Sequence, residues 1–270
     1  MQKFLTDVHT HSTFSYDGKE ELKTMLKVAY EKGLAFYGVA EHFDYDVYTL
    51  KGEQYIDEEE YFHSARHLQE DYAGCMNVLI GAEFGYIDDE KIQQMYVATY
   101  QKYRPDFIVN SVHCVNGEDY YLRKVFTEPT MKKKKQVYSE YLGLVRRSLD
   151  ACYPYDIVGH IGYPTRYASY EDNRLTLAEF GAEIDDILKT IIAKDKILEV
   201  NSKGEGLFAP SEEIIRRYYQ LGGRKVSFAS DAHDSRRIAD KREFVMEMLK
   251  NIGFTFITVP DRGEHLKVEI

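Results

Sequence analysis

The chain has 270 residues, of which 44% are hydrophobic, and its 45 acidic and 35 basic residues give a formal net charge of −10. This length suits a single α/β domain over residues 1–270, with a core large enough to fold without disulfides or a structural metal. The negative charge disfavours nucleic acid as a partner and favours cations as ligands.

Cysteine content and hydropathy indicate the cellular compartment in which the protein is expected. Cys75, Cys114 and Cys152 show no CxxC spacing, which is typical of a reducing compartment. No apolar run approaches the roughly 20 residues that a membrane span requires, and the start of the chain lacks a signal-peptide pattern. We therefore expect a cytoplasmic protein without a membrane partner; the sequence does not indicate its oligomeric state.

Short apolar or β-branched runs alternate with longer amphipathic segments along the chain. The strand-like runs are residues 4–9, 36–40, 78–83, 107–113, 156–160, 197–201 and 226–231, and residues 254–259 are a candidate extra strand. Helix-like segments lie near residues 20–33, 58–73, 89–102, 131–151, 176–194, 211–222 and 240–251. Such alternation predicts parallel strands with helical crossovers. Seven units predict an α/β barrel closed, or nearly closed, by seven strands; a doubly wound open sheet is the alternative.

Metal-binding residue types cluster at the ends of the predicted strands. His9 and His11 stand two residues apart, so an extended strand directs both imidazoles to one face. Later strands end in further ligand types, namely Glu41, His42, Glu83, His113, His160, Asn201, Asp231 and His233. In a parallel barrel these ends meet at one rim. The set exceeds the needs of one ion, and imidazole with carboxylate suits zinc, manganese or iron, so we predict two or three divalent ions.

Other histidines and the main basic run are interpreted as structural. Residues 132–135, all lysine, open a predicted helix and should form a solvated face. His63 and His67 lie four apart on a charged predicted helix, away from any strand end, and are predicted to be surface residues. His265 is expected to lie in a polar tail.

The same residues carry a family resemblance. The segments DVHTHSTFSYDG, AEHF, GAEFG, NSVH, VGHI, EVNSKG and SDAH, between residues 7 and 234, resemble the ordered motifs of the PHP (polymerase and histidinol phosphatase) superfamily. The chain length, SYDG and EVNSKG look most like its monofunctional histidinol-phosphatase branch. The resemblance implies a distorted (β/α)7 barrel that holds three metal ions at the C-terminal ends of its strands.

The resemblance also implies a ligand set. One ion would be held by His9, His11, Glu83 and Asp231, with Glu83 bridging to a second ion held by His113 and His160. A third ion would be held by His42 and His233. Many family members have histidine where this chain has Asp17, and an aspartate there would favour iron or manganese.

The implied activity is hydrolysis of L-histidinol phosphate to L-histidinol and phosphate, a step of histidine biosynthesis, by a metal-activated hydroxide. His233 or Asp17, or the third ion, would assist the leaving oxygen. Arg166, in the long loop 161–175, is the candidate phosphate clamp, and Asn201 and Lys203 are weaker candidates for substrate contact. Candidates to receive the substrate's ammonium and imidazole groups are Asp44, Asp46, Tyr48 and Glu205, among which the sequence does not choose.

Three alternatives remain open at this stage. The first is another PHP phosphoesterase, acting on nucleotides, sugar phosphates or phosphotyrosine. The second is a metal-dependent amidohydrolase on a related barrel, for which Lys203 would be the lysine nearest a strand end. The third is a metal-binding module kept for structure or partner recruitment, against which the full set of ligand types argues.

Overall fold

Parallel strands, each followed by a helix, build the central sheet of the computed structural model, which describes residues 5–45, 55–126, 128, 130–204 and 208–270. In chain order the described strands are β1 (Leu5–Asp7), β2 (Leu34–Phe43), β3 (Asn77–Gly85), β4 (Ile108–Ser111), β5 (Cys114–Val115), β6 (Glu118–Asp119), β7 (Ile157–Val158), β8 (Ile197–Asn201), β9 (Val226–Ala229), β10 (Phe256–Asp261) and β11 (Glu264–Glu269). The main sheet has the order β1-β2-β3-β4-β7-β8-β9, and every neighbouring pair in it is parallel.

Seven α-helices connect these strands in the described part of the chain. They are α1 (Leu22–Glu31), α2 (Glu58–Asp71), α3 (Glu90–Tyr103), α4 (Met131–Ser148), α5 (Leu177–Ala193), α6 (Glu212–Gln220) and α7 (Arg242–Ile252). Each buries one apolar stripe; in α1 the buried residues Leu22, Met25, Leu26 and Ala29 follow the i, i+3, i+4, i+7 spacing. None of these helices combines the length and the apolarity that crossing a bilayer demands.

The sheet closes on itself through residues just past its first and last strands. The backbone N–H of His11 donates to the carbonyl of Ala232 at 2.8 Å, and that of Asp231 donates to the carbonyl of His9 at 2.9 Å. Thr10 and Ala232 form an isolated parallel β-bridge in the same region. The predicted seven-stranded barrel is therefore confirmed over the open sheet, and the segments that close it carry predicted metal ligands.

Several strands end earlier than the sequence predicts. The fourth and fifth runs were expected to reach residues 113 and 160, whereas β4 ends at Ser111 and β7 at Val158. His113 and His160 therefore lie beyond the ends of these strands. Their positions are set by contacts with other side chains at the rim, which a strand pattern does not contain.

Two hairpins add to the barrel. The short strands β5 and β6 pair antiparallel between β4 and α4, and the sequence analysis did not predict them. The candidate strand at 254–259 exists as β10, but β11 pairs with it in an antiparallel hairpin. The polar tail expected around His265 is thus wrong, because this residue lies in β11 with its Nδ1 2.8 Å from Lys225 Nζ.

The lysine run at the start of α4 differs from expectation at one position. Lys134 is fully buried, and its Nζ lies 2.6 Å from Glu179 Oε2 on α5. The prediction of a solvated face is wrong for this residue, because its position on the helix faces α5. Lys132 and Lys135 are exposed, and so are His63 and His67 on α2, as predicted.

Candidate metal centre

The predicted ligands meet around the carboxylate of Glu83, near the end of β3. Its Oε2 lies 3.3 Å from His9 Nε2 and 3.7 Å from His11 Nε2. Its Oε1 lies 3.1 Å from His113 Nε2 and 2.9 Å from His160 Nε2. One fully buried carboxylate therefore stands between two sets of imidazoles: His113 and His160 at Oε1, and His9, His11 and also His42, whose Nδ1 lies 2.8 Å away, at Oε2.

A second group of side chains adjoins the first at the rim. His11 Nε2 lies 3.3 Å from Asp231 Oδ1, and the His11 ring is 4.2 Å from the rings of both His42 and His233. Asp17 approaches from the loop after β1, with its Oδ2 3.0 Å from His233 Nε2 and its Oδ1 3.6 Å from His42 Nε2. All nine residues expected to bind metal thus lie in one continuous cluster.

The ligand atoms of this cluster form three overlapping groups, each within 4.8 Å of one another: His9, His11 and Glu83; His42, Glu83 and His113; and His11, His42 and His233. The family resemblance assigned His42 to a third ion with His233, whereas the geometry also places it beside Glu83 and His113. His11, His42 and Glu83 each belong to two of these groups, so neighbouring groups share ligands.

Several atoms of the cluster are buried and lie close to one another without forming hydrogen bonds of acceptable geometry: His9 Nε2, His11 Nε2, His42 Nδ1 and Glu83 Oε2. Leaving a buried polar atom without a partner costs about 1–3 kcal/mol, and a cation bound between these atoms would satisfy them together. Imidazole and carboxylate are the ligands that zinc, manganese and iron take in proteins. The residues present therefore fit divalent metal ions.

The charge distribution in the cluster also favours cations. Burial tends to raise the pKa of Glu83, but the charges of His9, His113 and His42 hold that pKa well below its usual value. Burial tends to lower the pKa of His42, yet the charges of Glu83 and Asp17 outweigh it and raise the pKa to about 9. Carboxylates that stay ionised despite burial, and that stabilise positive charge on the neighbouring imidazoles, would likewise stabilise a metal ion bound in their place.

A residue that the sequence analysis did not assign, Glu199, lies behind two of the histidines. Its Oε1 is 2.5 Å from His9 Nδ1, and its Oε2 accepts the backbone N–H of His160 at 2.7 Å. A carboxylate on the far nitrogen fixes the ring and leaves Nε2 for a metal. Glu199 is two residues before Asn201 on β8, so the alternation of strand side chains could have indicated it.

Asp44 has a similar place behind His113. Its Oδ1 lies 2.9 Å from His113 Nδ1, and Asp44 is buried. Gly85 permits this contact, because a Cβ at that position would lie 1.8 Å from Asp44 Oδ1. The sequence predicts that Asp44 contacts substrate, whereas the geometry favours a role in orienting His113. The other candidates for the ammonium and imidazole groups, Asp46, Tyr48 and Glu205, lie outside the described residues.

Glu41, a ligand type at the end of β2, does not point into the cluster. Its carboxylate accepts the backbone N–H of Ser12 and the hydroxyl groups of Ser12 and Ser15. Burial raises its pKa, and the two serines oppose that effect. Glu41 therefore anchors the loop that follows β1 instead of offering a metal ligand.

The predicted phosphate-binding residues form one network beside Asp231. Arg166 donates from Nη2 to Asn201 Oδ1 at 2.6 Å and from Nη1 to Asp231 Oδ2 at 3.3 Å, and only 6% of its side chain is exposed. Lys203 Nζ lies 3.0 Å from Asp231 Oδ1, and its side chain is 31% exposed. Lys203 lines the open cavity over the cluster, whereas Arg166 is turned towards Asp231 and Asn201.

This cavity, of about 450 Å³, has the size and mixed lining of a small-molecule site. Its floor includes Asp17, His42, His113, His160, Asp231 and His233. Its walls are mainly aromatic, with four tyrosines at positions 16, 121, 163 and 167, and they include the carboxylate of Asp119. The site can accept a ligand with a negative end at the cluster and a ring or a cation at the wall.

A closed seven-stranded barrel with imidazoles and carboxylates at its rim is the arrangement that the family resemblance implied. The chain belongs to the PHP domain family, whose match spans residues 7–203. It is 29% identical over 249 residues to a probable histidinol-phosphatase of Clostridium acetobutylicum, a match that covers 91% of this chain and 92% of that protein. It is 25% identical over 260 residues to the histidinol-phosphatase of Lactococcus lactis subsp. lactis, with 92% and 91% covered.

Among solved structures, the chain is similar to histidinol phosphate phosphatase from Lactococcus lactis subsp. lactis, which was crystallised with zinc, L-histidinol and phosphate. The TM-score is 0.83 at 24% identity, over 98% of this chain and 100% of that chain. At this identity the likeness shows the fold. The predicted membership of the PHP superfamily and its similarity to histidinol-phosphatases are confirmed.

Proposed function

We propose that this chain is a metal-dependent phosphomonoesterase that converts L-histidinol phosphate and water into L-histidinol and phosphate. The observation that carries the proposal is the position of Glu83 between two sets of imidazoles, beneath a cavity of small-molecule size. The relatives named histidinol-phosphatase, matched over more than nine-tenths of the chain, supply the substrate.

The chemistry divides between the ions and the side chains. Two or three divalent ions, when bound at the nine ligands, would neutralise phosphoryl oxygens and lower the pKa of water towards about 7. Lys19 and Lys203 both line the cavity, and Lys203, which lies beside Asp231, is placed to attract the phosphate group. With two ions bound, Asp17 and His233, 3.0 Å apart at the rim, can hold a proton for the leaving oxygen, a role that a third ion bound by them would take instead. Arg166 and Asn201 keep Asp231 in position.

The amidohydrolase alternative is less favoured by this geometry. It would require a modified lysine between the ions, and Lys203 is ion-paired with Asp231 at the edge of the cavity. Glu83 already occupies the place between the two ligand sets. The position of Glu83 between the ligand sets, with Lys203 half-buried at the cavity, suits a phosphate ester better than an amide substrate.

A substrate panel tests the proposal. The protein is loaded with zinc, manganese or iron, its metal content is quantified, and phosphate release is compared for histidinol phosphate, nucleotides, sugar phosphates and phosphotyrosine. We expect histidinol phosphate to have the highest kcat/KM. A clear preference for any other member of the panel would refute the assignment of substrate.

One variant tests the site itself. His113→Ala should remove metal and lower turnover by orders of magnitude, because the second ligand pair on Glu83 loses a member. His63→Ala is the matched control, since that histidine is exposed on α2. Unchanged turnover of His113→Ala at full metal loading would exclude this residue from the centre.

A further inference from the structure

Asp119, at the end of the β5–β6 hairpin, presents a buried carboxylate to the wall of the cavity. It is only 8% exposed. Its Oδ1 accepts the backbone N–H of Tyr121 at 2.7 Å and the hydroxyl of Tyr163 at 3.3 Å. Within the described residues it forms no ion pair with a lysine, arginine or histidine. The hydrogen-bond partners of this carboxylate are therefore neutral groups.

The other carboxylates that line the cavity are already paired with cationic groups. Asp17 lies beside His42 and His233, and Asp231 beside Lys203. Burying an unpaired charge is costly, and burial raises the pKa of Asp119, an effect that the charge of His113 partly opposes. A cationic ligand in the cavity would remove this cost at Asp119, whereas the other two carboxylates offer less unmatched charge.

Tyr163 connects Asp119 to the metal cluster. Its hydroxyl contacts the carboxylate, and the centre of its ring lies 5.1 Å from the rings of both His113 and His160. Asp119 thus stands about one tyrosine ring away from the ligands of the second predicted ion. When the phosphate of an ester lies at the cluster, a substituent a few bonds from the ester oxygen would contact this wall of the cavity.

We propose that Asp119 receives the ammonium group of an amino-alcohol phosphate and thereby selects cationic substrates over phosphate esters without an amine. The tyrosines beside it supply aromatic surface for the substrate's ring: Tyr167 lies 5.1 Å from Tyr163 and 5.4 Å from Tyr121, ring centre to ring centre. This inference rests on the proposed phosphatase function and names the residue that sets its specificity.

A purely structural role for Asp119 makes a different prediction. The carboxylate also caps the short helical turn Tyr120–Leu122, through the N–H of Tyr121. Asparagine can accept the same hydrogen bond, so Asp119→Asn removes the charge and keeps the cap. If the residue only capped this turn, the substitution would leave the choice of substrate unchanged.

The test compares two substrates on metal-loaded enzyme. For Asp119→Asn we expect KM for L-histidinol phosphate to rise about tenfold to a hundredfold, the value of a hydrogen bond between charged groups. KM for the analogue that lacks the amine, imidazolylpropyl phosphate, should change much less, so the preference for the amine falls. Glu118→Gln is the matched control, because Glu118 precedes Asp119 but pairs with Lys124 at the surface.

The outcomes separate this inference from the proposed function. If the wild-type enzyme prefers histidinol phosphate and Asp119→Asn keeps the same preference for the substrate with an amine, only the inference about Asp119 is overturned. A wild-type enzyme that does not act on histidinol phosphate overturns both. If Asp119→Asn does not fold, inhibition of the wild-type enzyme decides: L-histidinol must bind more tightly than its analogue without the amine, and equal inhibition overturns the inference.

Discussion

Ser15 Oγ lies 3.2 Å from His11 Nδ1. The Ser15 hydroxyl gives its only proton to Glu41 Oε2, at 2.5 Å, and it also accepts the backbone N–H of His42 at 2.9 Å. It must therefore accept, rather than donate, in its contact with His11. His11 then carries its proton on Nδ1, and the lone pair of Nε2 faces Asp231 and the predicted metal.

The contact between Ser15 and His11 predicts weaker metal binding in Ser15→Ala. Loss of a partner that orients a ligand usually lowers metal affinity about tenfold to a hundredfold, and we expect a fall of that size for zinc. Competition with a chelator of known affinity measures it. Thr10→Val is the control, because the Thr10 hydroxyl donates to the carbonyl of Gly38 and not to a histidine. Equal affinity of wild type and Ser15→Ala would show that this contact does not matter.

Metal binding should release protons and strengthen as pH rises. In the metal-free site the pKa of His42 is raised to about 9, because neighbouring carboxylates outweigh its burial, and the pKa values of His9 and His113 are raised as well. His42 is therefore protonated at pH 7, and any ring that holds a proton on its ligand nitrogen must lose it to bind an ion. Apparent zinc affinity should therefore increase from pH 6.5 towards pH about 9. Calorimetry in buffers of different ionisation enthalpy counts the protons, and a result of none would contradict the prediction.

Lys203 and Arg166 should differ in their kinetic effects. Lys203 faces the cavity, so Lys203→Ala should mainly raise KM, by about tenfold or more. The sequence predicts the same effect for Arg166 as a phosphate clamp, but its guanidinium donates to Asp231 and Asn201. Arg166→Ala should therefore lower kcat and metal content as well. Steady-state kinetics with metal analysis separates the two, and a pure KM effect for Arg166→Ala would restore its role as a phosphate clamp.

The buried ion pair between Lys134 and Glu179 should affect stability but not activity. Glu179→Ala would leave the ammonium of Lys134 buried without its partner, which costs about 3–5 kcal/mol in comparable cases. Lys134→Met combined with Glu179→Gln removes both charges and should destabilise the protein far less than Glu179→Ala alone. The exposed Lys135→Ala is the control, expected within about 0.5 kcal/mol of wild type. Urea denaturation measures all three, and an unchanged stability of Glu179→Ala would contradict the prediction.

The barrel and the meeting of the ligands could be predicted because both follow from regular patterns. Parallel strands read as short apolar runs, and the residue after each run lies at the same rim. His113 and His160 illustrate this: their strands end two residues earlier than predicted, yet both imidazoles lie within 3.1 Å of Glu83. The type of residue and its place in the order of strands were sufficient.

Residues that act through distant partners could not be predicted in this way. Glu199 lies within a buried strand, and its partner His9 is 190 residues away. Asp119 lies in a hairpin whose strands have two residues each, too short for an alternating pattern. The sequence does not distinguish Lys134 from the adjacent lysines, because its burial depends on the packing of α5 against α4. In each case the deciding contact depends on the folded barrel and not on local sequence.

The backbone pairing of His9 to His11 with Asp231 and Ala232 has a consequence for biosynthesis. These segments come from opposite ends of the barrel sequence, so a nascent chain cannot offer both until β9 has emerged from the ribosome. Ions that take His9, His11 and Asp231 would then cross-link the first strand to the last. Metal binding at these three residues would therefore follow the synthesis of β9 and would stabilise the closed barrel.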